Sequence, residues 1–455
     1  MSLDYFFNPK TVAVIGASRD PKKVGHCIFR NFVQSRYKNR VYPVNPNAKK
    51  ILGIKCYPSV KAIKEPVDLA VIAVSASIVP KVTKECVEKV VKGIIVITSG
   101  FSEIGEEGKK REEQIKKVLK GSKTRLIGVN CLGVYDPYSE INTLFMPEFK
   151  IKLPKKGEIA FITQSGAFGS TQLDMLAAQG LGISKFISYG NQTDVTDIEL
   201  LRYLKEDPRT KVIVIYLEGV SNGREFLKTT KEITKPIIVF KAGKTKKGSE
   251  ATVSHTGSLA GSYQIYNAAF KQANLIQAFT VEQIFDYAKA LAYQPPAKGD
   301  RIVVITNGGG YGVIAADSII NNGLKLADFS KSVERDLRKF MPPYANITNP
   351  LDLIGDADAE RYQKALEVLV SDKNIDGFIV ITLLQTVSLE SKVVQVLTEF
   401  NQRTDKPIVV CSTGSKYTQK HLRVLEKHRI PTYSSPDRAV KAMKALVDYG
   451  KKFRS

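Results

Sequence analysis

Short and nearly continuous apolar runs recur along the first third of the chain and alternate with amphipathic stretches. The runs cover residues 11–15, 40–44, 69–74, 93–98 and 125–129. Apolar runs of this kind are typical of parallel strands that are buried on both faces. The stretches between them, such as 79–92 and 106–120, have the spacing of amphipathic helices. The pattern therefore predicts the β-α-β alternation of a doubly wound parallel sheet.

The same alternation starts again twice, each time after a break rich in Pro, Lys and Gly. After the break at 153–157, strands are predicted at 158–163, 185–189, 211–217 and 236–241. After the break at 293–299, strands are predicted at 301–306, 377–382, 407–411 and 431–433. We therefore expect three α/β domains, at 1–150, 151–295 and 296–455. This number agrees with roughly 150 residues per domain.

The chain carries a formal net charge of +23, which raises the question of nucleic-acid binding. Its basic residues are mostly interspersed with acidic ones, and the densest basic stretch, at 244–247, is short. A nucleic-acid-binding arm more often forms a block of like charge. A lysine-rich solvated surface is the simpler interpretation, and we expect no nucleic-acid partner.

The composition indicates a soluble protein of the cytoplasm. Apolar residues make up 43% and charged residues 25% of the chain, as in ordinary globular proteins. No apolar run approaches the roughly 20 residues that a membrane helix needs, and residues 1–7 lack the layout of a signal peptide. The five cysteines are scattered, which is typical of reduced thiols in a reducing compartment. We therefore expect neither a membrane partner nor a metal site.

The first predicted strand ends in a turn with the composition of a phosphate-binding site. Gly16 allows the backbone to turn tightly, Ala17 and Ser18 follow it, and Lys23 precedes a helix predicted to begin near Gly25. The free N–H groups and the positive dipole end of that helix would face an anion. An ordinary βα turn with solvated lysines stays open as the alternative.

The ligand of this turn is predicted to be a nucleotide other than NAD. The turn contains neither GxGxxG nor a Walker A lysine, and the second strand ends at Asn45 without the acidic residue that would hold the ribose of NAD. Small or polar residues also follow the next three strands, at Val74-Ser75, Ser99-Gly100 and Asn130-Cys131. Because ligands bind outside the carboxyl ends of parallel strands, these positions predict a continuous ligand groove.

The second predicted domain opens with a strand that leads through a Ser-Gly turn into a helix, predicted at 171–179. The turn reads Thr163-Gln164-Ser165-Gly166-Ala167, which does not match the GxSxG of a nucleophile elbow. Free amides at the helix start would form an anion site, so we predict phosphate binding at Ser165 and Gly166. An ordinary serine N-cap is the alternative.

One of the four histidines, His255, stands in a loop of small and hydroxyl residues that includes Thr256 and Gly257. Such surroundings permit the close approach of a phosphoryl group, and a neutral imidazole can act as its nucleophile. A neighbouring carboxylate would be needed to fix the tautomer of the ring. Glu218, directly after the strand predicted at 211–217, is the candidate for that role. A purely structural histidine is equally open on these residues alone.

Together these residues resemble the α subunit of ADP-forming acyl-CoA synthetases, in the superfamily of succinyl-CoA synthetase. The resemblance covers nearly the whole chain. It rests on these motifs in order: VIGASRDPKKVG, SGFSEIGEEG, GVNCLGV, TQSGAFG, SYGNQTDV, YLEG, SHTGSLAG, TNGGGYG and NPLDLIGDA. It implies a Rossmann-like CoA-binding domain followed by two flavodoxin-like parallel-sheet domains.

The resemblance implies that acyl-CoA, ADP and phosphate are converted into the free acid, ATP and CoA, with acetyl-CoA as the generic substrate. Phosphate would attack the thioester, and the resulting acyl phosphate would pass its phosphoryl group to His255 and then to ADP. Glu218 would orient His255, and phosphate would bind at Ser165, Gly166, Thr256 and Gly257. CoA would bind at these positions: Gly16, Ala17, Ser18, Lys23, Gly25, Asn45, Val74, Ser75, Ser99, Gly100, Asn130 and Cys131.

The resemblance also implies a partner, because the chain shows no ATP-grasp pattern and no Walker A lysine. ADP, ATP and Mg²⁺ would bind to a separate ATP-grasp β subunit, in an α2β2 heterotetramer.

Two alternatives stay open. The chain could be an α subunit like that of succinyl-CoA synthetase, which stops after two domains, or a non-catalytic regulatory protein that binds CoA. An NAD-dependent oxidoreductase is least favoured, because the ribose-binding acid is missing.

Overall fold

The computed structural model describes residues 3–147, 149–250 and 262–453. The chain forms two compact units, Met1–Gln277 and Ala278–Ser455. Among the described residues, no helix is long and apolar enough to cross a membrane. The domain boundaries at residues 150 and 295 stay predictions.

The first unit begins with a five-stranded parallel sheet. Its elements in chain order are β1 (Thr11–Ile15), α1 (Val24–Gln34), β2 (Arg40–Val44), β3 (Lys50–Ile51), β4 (Ile54–Lys55), β5 (Leu69–Ile72), α2 (Val79–Glu88), β6 (Gly93–Val96), α3 (Glu106–Leu119) and β7 (Arg125–Gly128). The sheet has the order β2-β1-β5-β6-β7, while β3 and β4 form a separate hairpin. The direction of winding therefore reverses between β1 and β5, which is where a doubly wound sheet opens a ligand crevice.

The first unit continues with a seven-stranded, mostly parallel sheet. Its elements are β8 (Gly133–Asp136), β9 (Ile141–Asn142), β10 (Lys156–Thr163), α4 (Gly166–Ala178), β11 (Ile183–Ser188), α5 (Asp197–Glu206), β12 (Val212–Leu217), α6 (Gly223–Glu232), β13 (Ile237–Lys241), α7 (Tyr263–Gln272) and β14 (Ile276–Gln277). The order is β14-β13-β12-β10-β11-β8-β9, with β8 antiparallel to β11. One core cluster contains residues of both sheets, such as Val14 and Ile187.

The second unit contains another parallel sheet with its own core. Its elements are α8 (Val281–Tyr293), β15 (Arg301–Thr306), α9 (Gly309–Asn321), β16 (Lys325–Leu326), α10 (Lys331–Arg338), β17 (Leu351–Asp352), α11 (Ala359–Val370), β18 (Gly377–Ile381), α12 (Lys392–Arg403), β19 (Ile408–Cys411), α13 (Lys416–Lys427), β20 (Thr432–Tyr433) and α14 (Pro436–Lys451). The order is β16-β15-β18-β19-β20, and β17 also pairs with β15. The predicted α/β fold class is confirmed.

Candidate functional site

The predicted CoA positions lie side by side along one edge of the first sheet. Following the sheet order β2-β1-β5-β6-β7, the residues just beyond the strand ends are Asn45, Gly16, Val74, Ser99 and Asn130. This edge is the carboxyl end of every strand, because all pairs in the sheet are parallel. The structure therefore brings these residues to one edge of the sheet, and the ligand groove that they predict stays a prediction.

The first turn depends on two glycines that touch each other. Gly16 has a φ of +92°, and a Cβ there would lie 2.3 Å from the carbonyl oxygen of Ala73. A Cβ at Gly25, in the first turn of α1, would lie 2.0 Å from the carbonyl oxygen of Gly16. The helix start therefore packs main chain against main chain at the strand end, with its free N–H groups beside the turn. Lys23, which directly precedes α1, is exposed.

The other residues of this turn hold its shape. The side-chain amide of Asn45 donates to the carbonyl oxygen of Ala17 at 2.8 Å, and Ala17 is buried. The hydroxyl of Ser18 accepts a hydrogen bond from the N–H of Asp20 at 3.0 Å. The carbonyl oxygen of Ser18 lies 2.8 Å from Nδ1 of His26. Ala17, Ser18 and Asn45 thus brace the turn.

The neighbouring strand ends are joined to one another as well. The hydroxyl of Thr98 donates to the carbonyl oxygen of Val74 at 2.7 Å. The carbonyl oxygen of Ser75 accepts a hydrogen bond from Ile78 at 2.9 Å, and the N–H of Gly100 donates to Glu103 at 2.6 Å. These contacts occupy main-chain groups of the predicted CoA positions and fix their turns.

A cavity of about 540 Å³ lies in the first unit. Predicted CoA positions Ser99, Asn130 and Cys131 line it, and so do the predicted phosphate and orienting residues Ser165, Gly166 and Glu218. Its remaining lining residues are Ile97, Ser102, Leu132, Phe145, Met146, Gln164, Ala167, Ser170, Gly190, Asn191 and Gln192. The other described CoA positions belong to the same sheet edge but do not line this cavity. The end of the predicted CoA groove thus meets the predicted phosphate site.

Ser165 caps α4, which begins at Gly166 rather than at residue 171. Its hydroxyl accepts a hydrogen bond from the N–H of Phe168 at 3.3 Å. The N–H groups of Gly166 and Ala167 have no acceptor within the helix, because they belong to its first turn. Both residues line the cavity. The serine cap and the anion site are therefore compatible, and the capped helix presents free N–H groups and its positive dipole end.

Glu218 follows β12 and is only 7% exposed. The hydroxyl of Tyr216 donates to its Oε1 at 3.3 Å, and the ring of Tyr216 stacks on Phe168 with ring centres 4.2 Å apart. Lys241, buried at the end of β13, is a further neighbour: burial lowers the pKa of Lys241, and attraction to Glu218 opposes that shift. Glu218 is thus a buried carboxylate with defined neighbours at the cavity wall, as a residue that orients an imidazole requires.

His255, Thr256 and Gly257 lie outside the described residues. The nucleophilic role of His255 and the phosphate contacts of the other two stay predictions. Their predicted companions, Glu218 and the Ser165-Gly166 turn, line one cavity.

Cys131 lines the cavity without offering a reactive thiol. Its Sγ donates to the carbonyl oxygen of Val96 at 3.3 Å, and the residue is 4% exposed. Burial raises the pKa of this thiol to about 12. Any contact of Cys131 with a ligand therefore comes from its main chain.

Two side chains that line the cavity, Gln164 and Asn191, are not predicted from the sequence as site residues. They lie within the motifs TQSGAFG and SYGNQTDV, respectively. The amide of Asn191 donates to Ser102 and to Glu103, both at 2.9 Å. Burial would raise the pKa of Glu103, but hydrogen bonds from Asn191 and from main-chain N–H groups hold it below its usual value. The only signal that could have found these residues is a polar amide just beyond a strand end.

Three family models match successive parts of the chain. A CoA binding domain matches residues 10–137, a succinyl-CoA ligase like flavodoxin domain matches 156–291, and a Ligase-CoA domain matches 302–453. The third match argues against an α subunit like that of succinyl-CoA synthetase, which stops after two domains.

Relatives that match 99% of this chain agree with the three family models. Subunit α of ADP-forming acetate–CoA ligase II of Pyrococcus furiosus is 41% identical, over 99% of this chain and 98% of its own. ADP-forming acetate–CoA ligase I of Archaeoglobus fulgidus is also 41% identical, over 99% of this chain and 64% of that protein. The solved structure of dinucleotide forming acetyl-coenzyme A synthetase 1 of Candidatus Korarchaeum cryptofilum, in complex with phosphate and ADP, has a TM-score of 0.92 and 38% identity, over 99% and 97% of the two chains. The chain therefore belongs to the family of ADP-forming acetate–CoA ligases, in which it corresponds to subunit α.

Proposed function

We propose that the chain is the α subunit of an ADP-forming acetyl-CoA synthetase, which converts acetyl-CoA, ADP and phosphate into acetate, ATP and CoA. The observation that carries this proposal is the shared cavity of Ser99, Asn130, Ser165, Gly166 and Glu218. If CoA follows the predicted groove, a phosphate at the N-terminus of α4 would lie within reach of its thioester. The choice of acetyl rests on the names of the relatives.

The first step joins the two halves of this cavity. Phosphate, held by the N–H groups of Gly166 and Ala167, attacks the thioester carbonyl carbon. A carbon–oxygen bond forms, the carbon–sulfur bond breaks, and CoA leaves as the thiolate. The helix N-terminus stabilises the phosphate anion without a permanent cation, and a site that excludes water strengthens that stabilisation.

The second step transfers the phosphoryl group to His255. An imidazole nitrogen attacks the phosphorus of acetyl phosphate, the bond from phosphorus to the acyl oxygen breaks, and acetate leaves. Glu218 accepts a hydrogen bond from the other ring nitrogen and so keeps the attacking nitrogen unprotonated. The phosphohistidine then gives its phosphoryl group to ADP.

The nucleotide half of the reaction is assigned to a partner. ADP, ATP and Mg²⁺ would bind to an ATP-grasp β subunit, in an α2β2 heterotetramer located in the cytoplasm. Two observations support a partner: the relative from Pyrococcus furiosus is named a subunit α, and this chain matches only 64% of the relative from Archaeoglobus fulgidus, whose name mentions no subunit.

The proposal is tested by co-expressing the chain with a β subunit and measuring ATP formed from acetyl-CoA, ADP, phosphate and Mg²⁺. We expect ATP only when all the substrates and both subunits are present. A chain that binds CoA but supports no ATP formation in the complex would instead be a regulatory CoA-binding protein. The same assay with propionyl-, succinyl- and phenylacetyl-CoA tests the acyl preference.

A further inference from the structure

Gln164 binds the main chain at Glu218 with both ends of its carboxamide. Its Oε1 accepts hydrogen bonds from the N–H of Glu218 and, at 3.0 Å, from the N–H of Gly219. Its Nε2 donates to the carbonyl oxygen of Gly219 at 2.9 Å. Gln164 follows β10 and Glu218 follows β12, the neighbouring parallel strand. One side chain therefore joins the carboxyl ends of two adjacent strands at the cavity wall.

These hydrogen bonds suit glutamine in particular. Beyond the end of β12 the strand ladder stops, so the N–H and carbonyl groups of the following turn need other partners. A carboxamide offers an oxygen with two lone pairs and an N–H donor on one planar group. Glutamate at position 164 would keep the acceptor but lose the donor, and methionine would lose both at a similar length.

We propose that Gln164 is a positioning residue for phosphoryl transfer, because it fixes the main chain of Glu218 and Gly219 and thereby the place of the Glu218 carboxylate. The inference rests on the proposed function, in which Glu218 orients His255. Gln164 acts through Glu218 and needs no contact with the reacting atoms. Since a misplacement of about 1 Å can cost about 100-fold in rate, loss of these hydrogen bonds lowers kcat.

The test uses the complete enzyme with its β subunit and the variants Gln164→Met and Gln164→Glu. We expect Gln164→Met to lower kcat about 10- to 100-fold while the KM values for acetyl-CoA and phosphate change less than about 3-fold. The kcat of Gln164→Glu should lie between the kcat of Gln164→Met and that of the unaltered enzyme. The matched control is Gln395→Met, at an exposed position of α12, which should leave the rate unchanged.

The pH profile separates positioning from simple structural support. A carboxylate beside the histidine raises the pKa of the imidazole. If Glu218 moves away in Gln164→Met, that pKa falls, and the acid limb of the kcat profile moves to lower pH. If Gln164→Met lowers kcat but leaves the acid limb of its pH profile at the same pH, the proposal is overturned.

A double-mutant comparison shows whether Gln164 works through Glu218. In the Glu218→Gln background, Gln164→Met should lower kcat by less than about 2-fold, because the carboxylate it positions is gone. Effects that multiply independently, or a raised KM for phosphate, would overturn the Gln164 proposal alone. Full activity in Glu218→Gln itself would also overturn the Gln164 proposal, because Glu218 would then not orient His255, whereas the absence of ATP formation by the unaltered complex would overturn the proposed function. If Gln164→Met does not fold, the same double-mutant comparison is made with Gln164→Glu.

Discussion

Asp194 holds Arg125 in a two-point ion pair that joins the first sheet to the segment between β11 and α5. Nε of Arg125 lies 2.9 Å from Oδ2 of Asp194, and Nη2 lies 3.1 Å from Oδ1. Oδ2 also accepts a hydrogen bond from the N–H of Leu126 at 2.7 Å. Arg125 begins β7 of the first sheet, whereas Asp194 lies between β11 and α5. The pair therefore fixes the start of β7 to the segment between β11 and α5, of which Gly190, Asn191 and Gln192 line the cavity.

Removing the charge of Asp194 should destabilise this junction. The side chains of Arg125 and Asp194 are only 15% and 23% exposed, and after loss of the charge Arg125 keeps one carboxylate partner, Glu199, at 2.7 Å. We expect Asp194→Asn to lower the free energy of unfolding by about 1–3 kcal/mol, measured by chemical denaturation. The control is Glu65→Gln at the exposed pair with Arg40, which should lower the free energy of unfolding much less, because solvent screens that pair. Equal costs would contradict the argument.

Gly25→Ala should weaken CoA binding. Its Cβ would lie 2.0 Å from the carbonyl oxygen of Gly16, so the helix start must move away from the turn. We expect the affinity for CoA, measured by calorimetry, to fall at least about 10-fold as the main-chain geometry of the anion site is lost. Gly223→Ala, in the first turn of α6 where a Cβ meets nothing within 4 Å, is the control. Unaltered CoA affinity in Gly25→Ala would remove this turn from the CoA site.

Asp197 should make stability depend on pH. It is fully buried at the start of α5, and burial raises the pKa of its carboxyl from 3.8 to about 6. Because the folded-state pKa is the higher one, the native protein binds this proton more tightly, and the free energy of unfolding falls as pH rises through that window. Asparagine does not titrate, so Asp197→Asn does not lose stability in this way. The free energy of unfolding of Asp197→Asn, relative to that of the unaltered protein, should therefore grow by about 2–3 kcal/mol between pH 4 and 6 and then level off. A difference that does not change with pH would refute this account of Asp197.

Glu218→Gln should abolish most ATP formation while CoA binding is retained. The amide has nearly the same shape but cannot stabilise the charged or oriented histidine as a carboxylate does, so we expect a loss of about 100-fold in kcat. Glu232→Gln, at the exposed end of α6, serves as the control. ATP formation within about 3-fold of the unaltered rate would assign the orienting role elsewhere.

The sequence predicts the sheets well because buried parallel strands are continuous apolar runs. β1 and β2 have the predicted ends, and β10 begins two residues before its predicted start. Strands of two residues, such as β9 and β14, carry too little pattern to be found. The pairing of β8 with the second sheet depends on tertiary packing that local periodicity does not encode.

The candidate site also contains residues that the local sequence predicts and residues that only folding brings together. The places of Gly16, Ser99 and Glu218 beyond strand ends can be predicted from the apolar runs that precede them, and their roles stay predictions. The role of Gln164 cannot be predicted in this way, because its hydrogen bonds reach the Glu218–Gly219 turn from another strand. The ion pair of Arg125 with Asp194 is likewise a product of folding, since Arg125 begins β7 and Asp194 lies 69 residues later, between β11 and α5.

The most direct test of the account is to find the phosphoryl group on His255. The complex is incubated with radiolabelled phosphate and acetyl-CoA without ADP, and the labelled residue is located by mass spectrometry. The account predicts a label on His255 that is stable to base, lost in acid, released to ADP as ATP, absent from His255→Ala and strongly reduced in Glu218→Gln. Continued ATP formation by His255→Ala would contradict it.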